Sequence, residues 1–466
     1  MHIVTPPSAL TSLSTLMQRP THHQHNVAIN GETQHTWPQF RAHVFSLNQQ
    51  LALTEQPRFA ICCHDSYLFA VAFMAVIYAN KQLILPSNHQ PAALAELGSH
   101  FDVLLHDAGL HVPPSVTAIN INALLNTQEK MPLSNMTFSP LSLADIKLTL
   151  FTSGSSGTPK AIIKTLDLLD NEIAQLEAIW GQQLQQSHIC STVSHQHIYG
   201  LLFRVLWPLC RGRSFDCFNL DYPEQVAAQA ASNKVLISSP ALLKRLHADV
   251  ASTPYNAIFS SGGPLPFAAA QHCQQLLGQL PFEVFGSTET GGIGYRQQQQ
   301  STTPWLRFKV VNIALNAEQC LKICSPFVDP QHWYQTCDHC VLIDADHFEL
   351  KGRTDRVIKI EEKRISLTEI EQRLCQLPWI EEAAVLPLEQ QQRLQIAAVI
   401  TLTAQGIEQL DRIGKGKFWL LLRQQLRQWI EPIAIPRRFR PIAEIPLNSQ
   451  GKRLMRDLEN LFNDHN

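Results

Sequence analysis

The stretch Leu148–Thr165, LTLFTSGSSGTPKAIIKT, decides how the rest of the chain is read. Ile146, Leu148 and Leu150 alternate with Lys147 and Thr149, the period of a strand. Beyond the polar middle, Ala161, Ile162 and Ile163 are again apolar and rich in β-branching. Two strands are therefore expected, joined by a loop of Ser, Gly, Thr and Pro that ends on Lys160. Gly154 and Gly157 let backbone N–H groups turn outward together. Thr152, Ser153, Ser155 and Thr158 add hydroxyl donors, and Lys160 adds a mobile positive charge. Such a nest takes an anion. It is not a Walker A loop, which needs Gly-Lys followed by Ser or Thr at the opening of a helix; Lys160 follows Pro159 and precedes Ala161. Alone, the stretch is compatible with a surface hairpin as well as with a cradle for phosphates.

Composition narrows the field. The chain has 466 residues, 45% hydrophobic and 16% charged, an ordinary globular balance with room for one large and one small domain. A formal net charge of -2 gives no electrostatic case for nucleic acid or an anionic membrane as partner. The first residues, MHIVTPPSALTSLSTLMQRP, lack a basic segment followed by an apolar core, and the apolar run Tyr67–Ala79 is too short to span a bilayer. A cytoplasmic protein is expected. Cys320, Cys324, Cys337 and Cys340, with His332 and His339 nearby, loosely mimic a zinc ribbon. The first pair is separated by three residues and no glycine knuckle follows, so free thiols are expected.

Short apolar runs ending in small or polar residues recur: QPRFAICCHD, KQLILPSN, AIIK, KVLISS, NAIFSS and FEVFGS. They alternate with helical stretches, the signature of parallel strands with functional loops at their ends. Trp305–Leu350 alternates without helices and reads as a small β subdomain. From Thr354 onward the chain looks self-contained. Ser366 and Glu369 form a capping box ahead of Ile370 and Leu374, RLQIAAVITLT reads as a strand, and Phe418, Leu421, Leu422, Leu426 and Trp429 share a helical face. The expected fold is α/β: a large N-terminal domain over residues 1–353, of α/β subdomains plus a small β subdomain, then a small α/β domain over 354–466.

Six segments occur in a telling order: TSGSSGTPK (Thr152–Lys160), SSGGPLP (Ser260–Pro266), FGSTET (Phe285–Thr290), YQTCD (Tyr334–Asp338), GRTDRVIKIEEKRISLTEIE (Gly352–Glu371) and PLNSQGK (Pro446–Lys452). Together they resemble the acyl-adenylate-forming, AMP-binding superfamily of acyl- and aryl-CoA synthetases, luciferases and peptide-synthetase adenylation domains. The resemblance implies that Thr152, Ser153, Gly154, Ser155, Gly157, Thr158 and Lys160 hold the β- and γ-phosphates of ATP. It implies that Gly262, Gly263 and Pro264 lie against adenine, and that Thr288 and Glu289 contact the α-phosphate and hold magnesium. It further implies that Asp338 accepts the ribose hydroxyls with Arg353 beside them, and that His197 stands at the mouth of the acyl pocket. Asp355 becomes the hinge of a mobile C-terminal domain, and Lys452 the catalytic lysine that brings carboxylate and α-phosphate together.

The implied activity is ATP-dependent activation of a fatty or aromatic carboxylic acid to an acyl-adenylate, with release of pyrophosphate. Transfer to a phosphopantetheine thiol follows, on a carrier protein or coenzyme A. Arg437, Arg438 and Arg440 offer a basic patch for an acidic carrier. Cys337 replaces the glycine expected before Asp338, and Glu361 and Glu362 replace small residues near the incoming thiol. An amino-acid-activating enzyme would need an acid in SHQHIYGLLFRVLW, which has none. A degenerate nucleotide-binding scaffold is the other alternative, against which Lys160, Glu289, Asp338 and Lys452 are all intact.

Overall fold

The computed structural model describes residues 10–19, 25–87, 89–126, 136–153, 159–246, 254–263, 265–353, 357–360, 363–390, 393–446 and 455–463. The chain divides into two compact units. One comprises Met1–Ser87, Gly98–Phe151 and Ala161–Thr354; the other comprises Asn88–Leu97, Thr152–Lys160 and Asp355–Asn466.

β1 (Lys147–Ser153) and β2 (Pro159–Thr165) are neighbours at one edge of a six-stranded sheet. The loop of the opening stretch thus joins two strands, as its alternation predicts. Gln82–Leu85 pairs in parallel with β1 and with Arg58–Cys62, which pairs in parallel with Val103–His106. Helix α1 (Ser66–Tyr78) is buried over Ser66–Ile77. A helix covered on every side needs no polar face, which is why its sequence is apolar throughout. The Asp65 carboxylate caps it by accepting the N–H groups of Tyr67 and Leu68.

Helix α2 (Leu166–Leu184) leaves β2 and buries Leu169, Ile173, Leu176 and Trp180. Trp180 packs edge-on against Phe259, Phe282 and Tyr295, with ring centroids 5.0, 5.5 and 5.1 Å away. Those rings belong to a second sheet of thirteen strands. Its centre is parallel: β3 (His188–Ser191), β4 (Lys234–Ser238), β5 (Ala257–Ser260) and β6 (Phe282–Ser287). β7 (Gly291–Arg296) turns back antiparallel to β6. The strands expected as a small β subdomain extend this same sheet by antiparallel pairing; among them β8 (Asp329–Leu342) pairs with β9 (His347–Arg353).

The second unit contains a three-stranded sheet. β10 (Ile380–Gln390) runs antiparallel to β11 (Arg393–Leu402), which pairs in parallel with β12 (Arg438–Pro441). Helices α3 (Leu367–Cys375) and α4 (Lys415–Leu426) contribute Ile370, Leu374, Phe418, Leu422 and Leu426 to its core, with Leu421 and Trp429 partly buried against it. The Ser366 hydroxyl accepts the Glu369 N–H at 3.1 Å, the N-cap half of the capping box expected from sequence.

Glu369 carries a pH dependence. Burial pushes its carboxyl up to about 7, with Arg373 opposing and Glu96 and Glu431 adding to the rise. Arg373 itself pairs with Glu96, and Lys363 with Glu431. The folded value lies above the ordinary 4.5. The stabilising contribution is therefore complete below the ordinary value and lost as pH rises through the folded one. The melting midpoint should fall between about pH 5 and about pH 8.5, and Glu369→Gln should flatten that fall, read by thermal melts across the range.

Candidate active site

The segment expected to face adenine leaves the end of β5. Gly262 has φ +92°, a left-handed conformation that a side chain resists. Three side chains pin this segment to the neighbouring strand. The Ser261 hydroxyl donates to the Val284 carbonyl at 2.8 Å. The Leu265 N–H donates to Glu283 Oε2 at 3.0 Å, and Gln298 Nε2 donates to the Leu265 carbonyl and to Glu283 Oε1, both at 2.6 Å. Glu283 is buried and ion-paired with Arg296, Nε to Oε1 at 2.7 Å. Sequence reading missed this clamp; its signal was a glutamate inside the apolar run FEVF.

Thr288 and Glu289 occupy the turn between β6 and β7, where Ser287 and Gly291 face each other across the ladder. The turn is tied from within. The Ser287 N–H donates to Thr290 Oγ1 at 2.9 Å, and the Thr290 N–H donates to Ser287 Oγ at 3.2 Å. That leaves Thr288 and Glu289, both half-buried, at the tip. Because β5 and β6 are parallel, Gly262, Gly263, Thr288 and Glu289 come to the same end of adjacent strands. Tertiary structure thus brings together two motifs separated in sequence.

Two residues outside every motif hold this turn. Lys164, on β2, is buried and donates from Nζ to the carbonyls of Glu289 (3.2 Å) and Phe327 (2.8 Å). Glu172, on α2, is buried and accepts the Gly292 N–H at 2.7 Å. Burial lowers the Lys164 ammonium, with Glu172 and Glu289 opposing. Burial likewise raises the Glu172 carboxyl, with Lys164 and the Gly292 N–H opposing. A glutamate on the buried stripe of α2 was the sequence signal.

Asp338 lies on β8 directly across the ladder from Arg353 on β9, so two residues expected at the ribose are cross-strand partners. Asp338 is buried, and its N–H donates to Thr336 Oγ1 at 3.1 Å; Thr336 Oγ1 in turn donates to the Leu321 carbonyl at 2.8 Å. The neighbouring Cys337 is exposed. His197 is half-buried and stands at the position just before the short helix Ile198–Gly200, which continues as a π-helical turn Leu201–Leu206 and then as Trp207–Arg211. The packed core histidine of SHQH is His195. Its Nε2–H donates to the Cys63 carbonyl at 2.9 Å, so Nδ1 accepts from the Ser66 hydroxyl at 2.9 Å, and burial holds the ring neutral.

Thr152 is buried near the end of β1, and Lys160 is exposed at the start of β2. Ser153 is described in its backbone on β1, and Arg353 likewise on β9. Gly154, Ser155, Gly157, Thr158, Pro264, Asp355, Glu361, Glu362 and Lys452 lie outside the described residues. Cys320 and Cys340 are buried and Cys324 is half-buried, and none of the three is in a disulfide.

With this geometry in hand, the comparisons are specific. Residues 16–315 match the model of the AMP-binding enzyme family. A 4-coumarate–CoA ligase of Cereibacter sphaeroides is 24% identical over 312 residues, covering 66% of this chain and 70% of that protein. An L-allo-isoleucine:holo-[CmaA peptidyl-carrier protein] ligase of Pseudomonas savastanoi pv. glycinea is 23% identical over 484 aligned positions, covering 91% and 78%. The structure of an o-succinylbenzoate CoA synthetase double mutant from Bacillus subtilis superposes with a TM-score of 0.80 at 17% identity, covering 96% of this chain and 98% of that one. The chain belongs to the AMP-binding enzyme family. It is an ATP-dependent, AMP-forming ligase that joins a carboxylic acid to a thiol. No described helix is long and apolar enough to cross a membrane.

Proposed function

We propose that this enzyme activates an aliphatic or aromatic acid as its acyl-adenylate and passes it to the phosphopantetheine thiol of an acidic carrier protein, in the cytoplasm. The observation that carries the first step is the shared strand end of Gly262–Gly263 and Thr288–Glu289. In this reading adenine lies along the first pair and the α-phosphate at the second, with ribose bound by Asp338 and Arg353. The acid enters past His197. Its carboxylate attacks the α-phosphate, and pyrophosphate leaves along the Thr152–Lys160 loop. Lys160 and Lys452 offset the repulsion between two anions. The half-buried Glu289 carboxylate is the hard oxygen donor that magnesium takes, and bound magnesium would supply further charge neutralisation on the phosphates. The domain boundary at 353/354, with Asp355 as hinge, lets the small domain shield the labile anhydride from water and then expose it to the thiol.

The preference for a carrier protein rests on charge. The Arg423 guanidinium donates to the Pro436 and Arg437 carbonyls, while Arg427 and Arg437 are exposed. Burial, then Arg437 and Arg427, lower the Arg423 guanidinium, so three cations share one field. Arg438 and Arg440 stack on Phe462, with centroid distances of 5.3 and 6.0 Å. Alternation along β12 sends Arg438 and Arg440, over Phe462, to the opposite side of the sheet from Arg423, which lies over Phe439, so the cluster offered to an acidic partner is Arg423, Arg427 and Arg437. The test is carboxylate-dependent ATP–pyrophosphate exchange over a panel of acids, followed by thioester formation with coenzyme A and with a holo carrier protein. Exchange with an aliphatic or aromatic acid and faster transfer to the carrier are expected. Equal thioester yield with coenzyme A alone would remove the carrier. Silence across the panel would favour a nucleotide-binding scaffold.

A further inference from the structure

The turn that carries Thr288 and Glu289 is gripped at both ends by buried charges of opposite sign. Lys164 Nζ, 3% exposed as a residue, takes the Glu289 carbonyl, the negative end of that peptide. Glu172, also 3% exposed, takes the Gly292 N–H, a positive end. Each charge meets the backbone dipole that favours it. The fit leaves no room for side chains. A Cβ at Gly291, where φ is +64°, would stand 2.6 Å from Glu172 Oε2 and 2.9 Å from Phe327 Cβ. At Gly292 it would stand 2.4 Å from Phe308 Cε2 and 3.1 Å from Glu172 Oε1. Glu172 Oε2 is buried and has no hydrogen-bond partner among the described residues.

Stability alone does not account for this arrangement. Two desolvated charges are costly, and apolar side chains of similar volume usually serve a core as well or better. What the charges supply is a fixed position. Lys164 lies on β2, four residues beyond Lys160 in the strand that leaves the phosphate loop, and it reaches the turn through the carbonyl of Glu289 itself. Glu172 follows on α2, the next element of the chain.

We propose that Lys164 and Glu172 are positioning residues: they lock the Thr288–Glu289 turn to β2 and α2, and so fix the Glu289 carboxylate where magnesium-bound ATP meets it. The inference rests on the reading of Glu289 given above. The experiment measures the dissociation constant of MgATP, the magnesium concentration for half-maximal pyrophosphate exchange, and the melting midpoint. Lys164→Met and Glu172→Leu should each raise the first two by about tenfold or more. Glu172→Gln keeps a carbonyl to accept the Gly292 N–H and should stay within about threefold of the parent. The double variant Lys164→Met/Glu172→Leu should do little more harm than either alone, because both act on one turn.

A lower melting midpoint with parental MgATP and magnesium constants would make the pair merely structural and overturn the proposal. If Lys164→Met does not fold, Lys164→Gln, which keeps a donor without the charge, should shift the same two constants in the same direction, and parental values there overturn it equally. Glu289→Gln serves as the control. Unchanged MgATP binding in that variant overturns the underlying reading of Glu289 together with the proposal. A clear loss there, with parental constants in the Lys164 and Glu172 variants, overturns the positioning role alone.

Discussion

Lys452→Ala is expected to lower carboxylate-dependent ATP–pyrophosphate exchange by about 10²–10³-fold or more while ATP still binds. The reason is the charge of the reactants. A carboxylate must approach an α-phosphate that already carries negative oxygens. Two unit charges at about 4 Å repel by about 4 kcal/mol at the effective dielectric near a protein surface. An ammonium placed between them converts that repulsion into attraction where the new bond forms, so its removal is felt most in the transition state. Lys160, at the start of β2, is expected to serve the departing pyrophosphate. Its loss should weaken ATP binding as well as turnover. Lys452→Arg should recover little, since a broad planar guanidinium does not replace a compact point charge. Exchange assays with saturating acid, paired with direct measurement of the ATP dissociation constant, separate these outcomes. An unchanged exchange rate in Lys452→Ala would remove that lysine from the chemistry.

How much of this was legible in the sequence follows from the range of the interactions. The strands either side of the phosphate loop were legible because alternation is local: Ile146, Leu148 and Leu150 state their own face. The parallel strands ending in ISS, FSS and FGS were legible for the same reason, and so was the Ser366 cap. The pairing of Asp338 with Arg353 was implied only by motif order, since nothing local in YQTCD marks its partner across the ladder. The supports of the site were not legible. Glu283 and Arg296 are 13 residues apart, Glu172 and Gly292 are 120 apart, and Lys164 and Glu289 are 125 apart. A charge in an apolar run shows that a partner must exist but does not say where the fold will supply it. The strands of Trp305–Leu350 teach a related lesson. Their alternation showed that they form strands, yet it could not show that edge-to-edge pairing would make them part of the larger sheet.

Glu283→Leu is expected to produce the largest loss of stability of any single change near the site, about 3–5 kcal/mol. Its carboxylate accepts from Arg296 Nε, from Gln298 Nε2 and from the Leu265 N–H, at 2.7, 2.6 and 3.0 Å. The variant takes this acceptor from all three donors, two of them on buried residues, Leu265 and Gln298, and the third on the half-buried Arg296. Arg296 is the most costly of them, because its guanidinium keeps its charge and loses its ion-pair partner, with the Trp305 ring 4.5 Å away offsetting only part of that loss. Replacing both partners, Glu283→Leu with Arg296→Met, should restore much of that stability, since a core of similar volume without charges is often no weaker. The two variants should nevertheless share a defect. Neither can hold the Leu265 N–H, so the segment Ser261–Leu265 keeps only the Ser261–Val284 bond as its side-chain tie to β6, and the KM for ATP should rise in both. Urea unfolding and steady-state kinetics on the parent, the single and the double variant distinguish a clamp that only stabilises from one that also shapes the adenine site. Recovery of stability together with a parental KM in the double variant would show that the glutamate serves the fold alone.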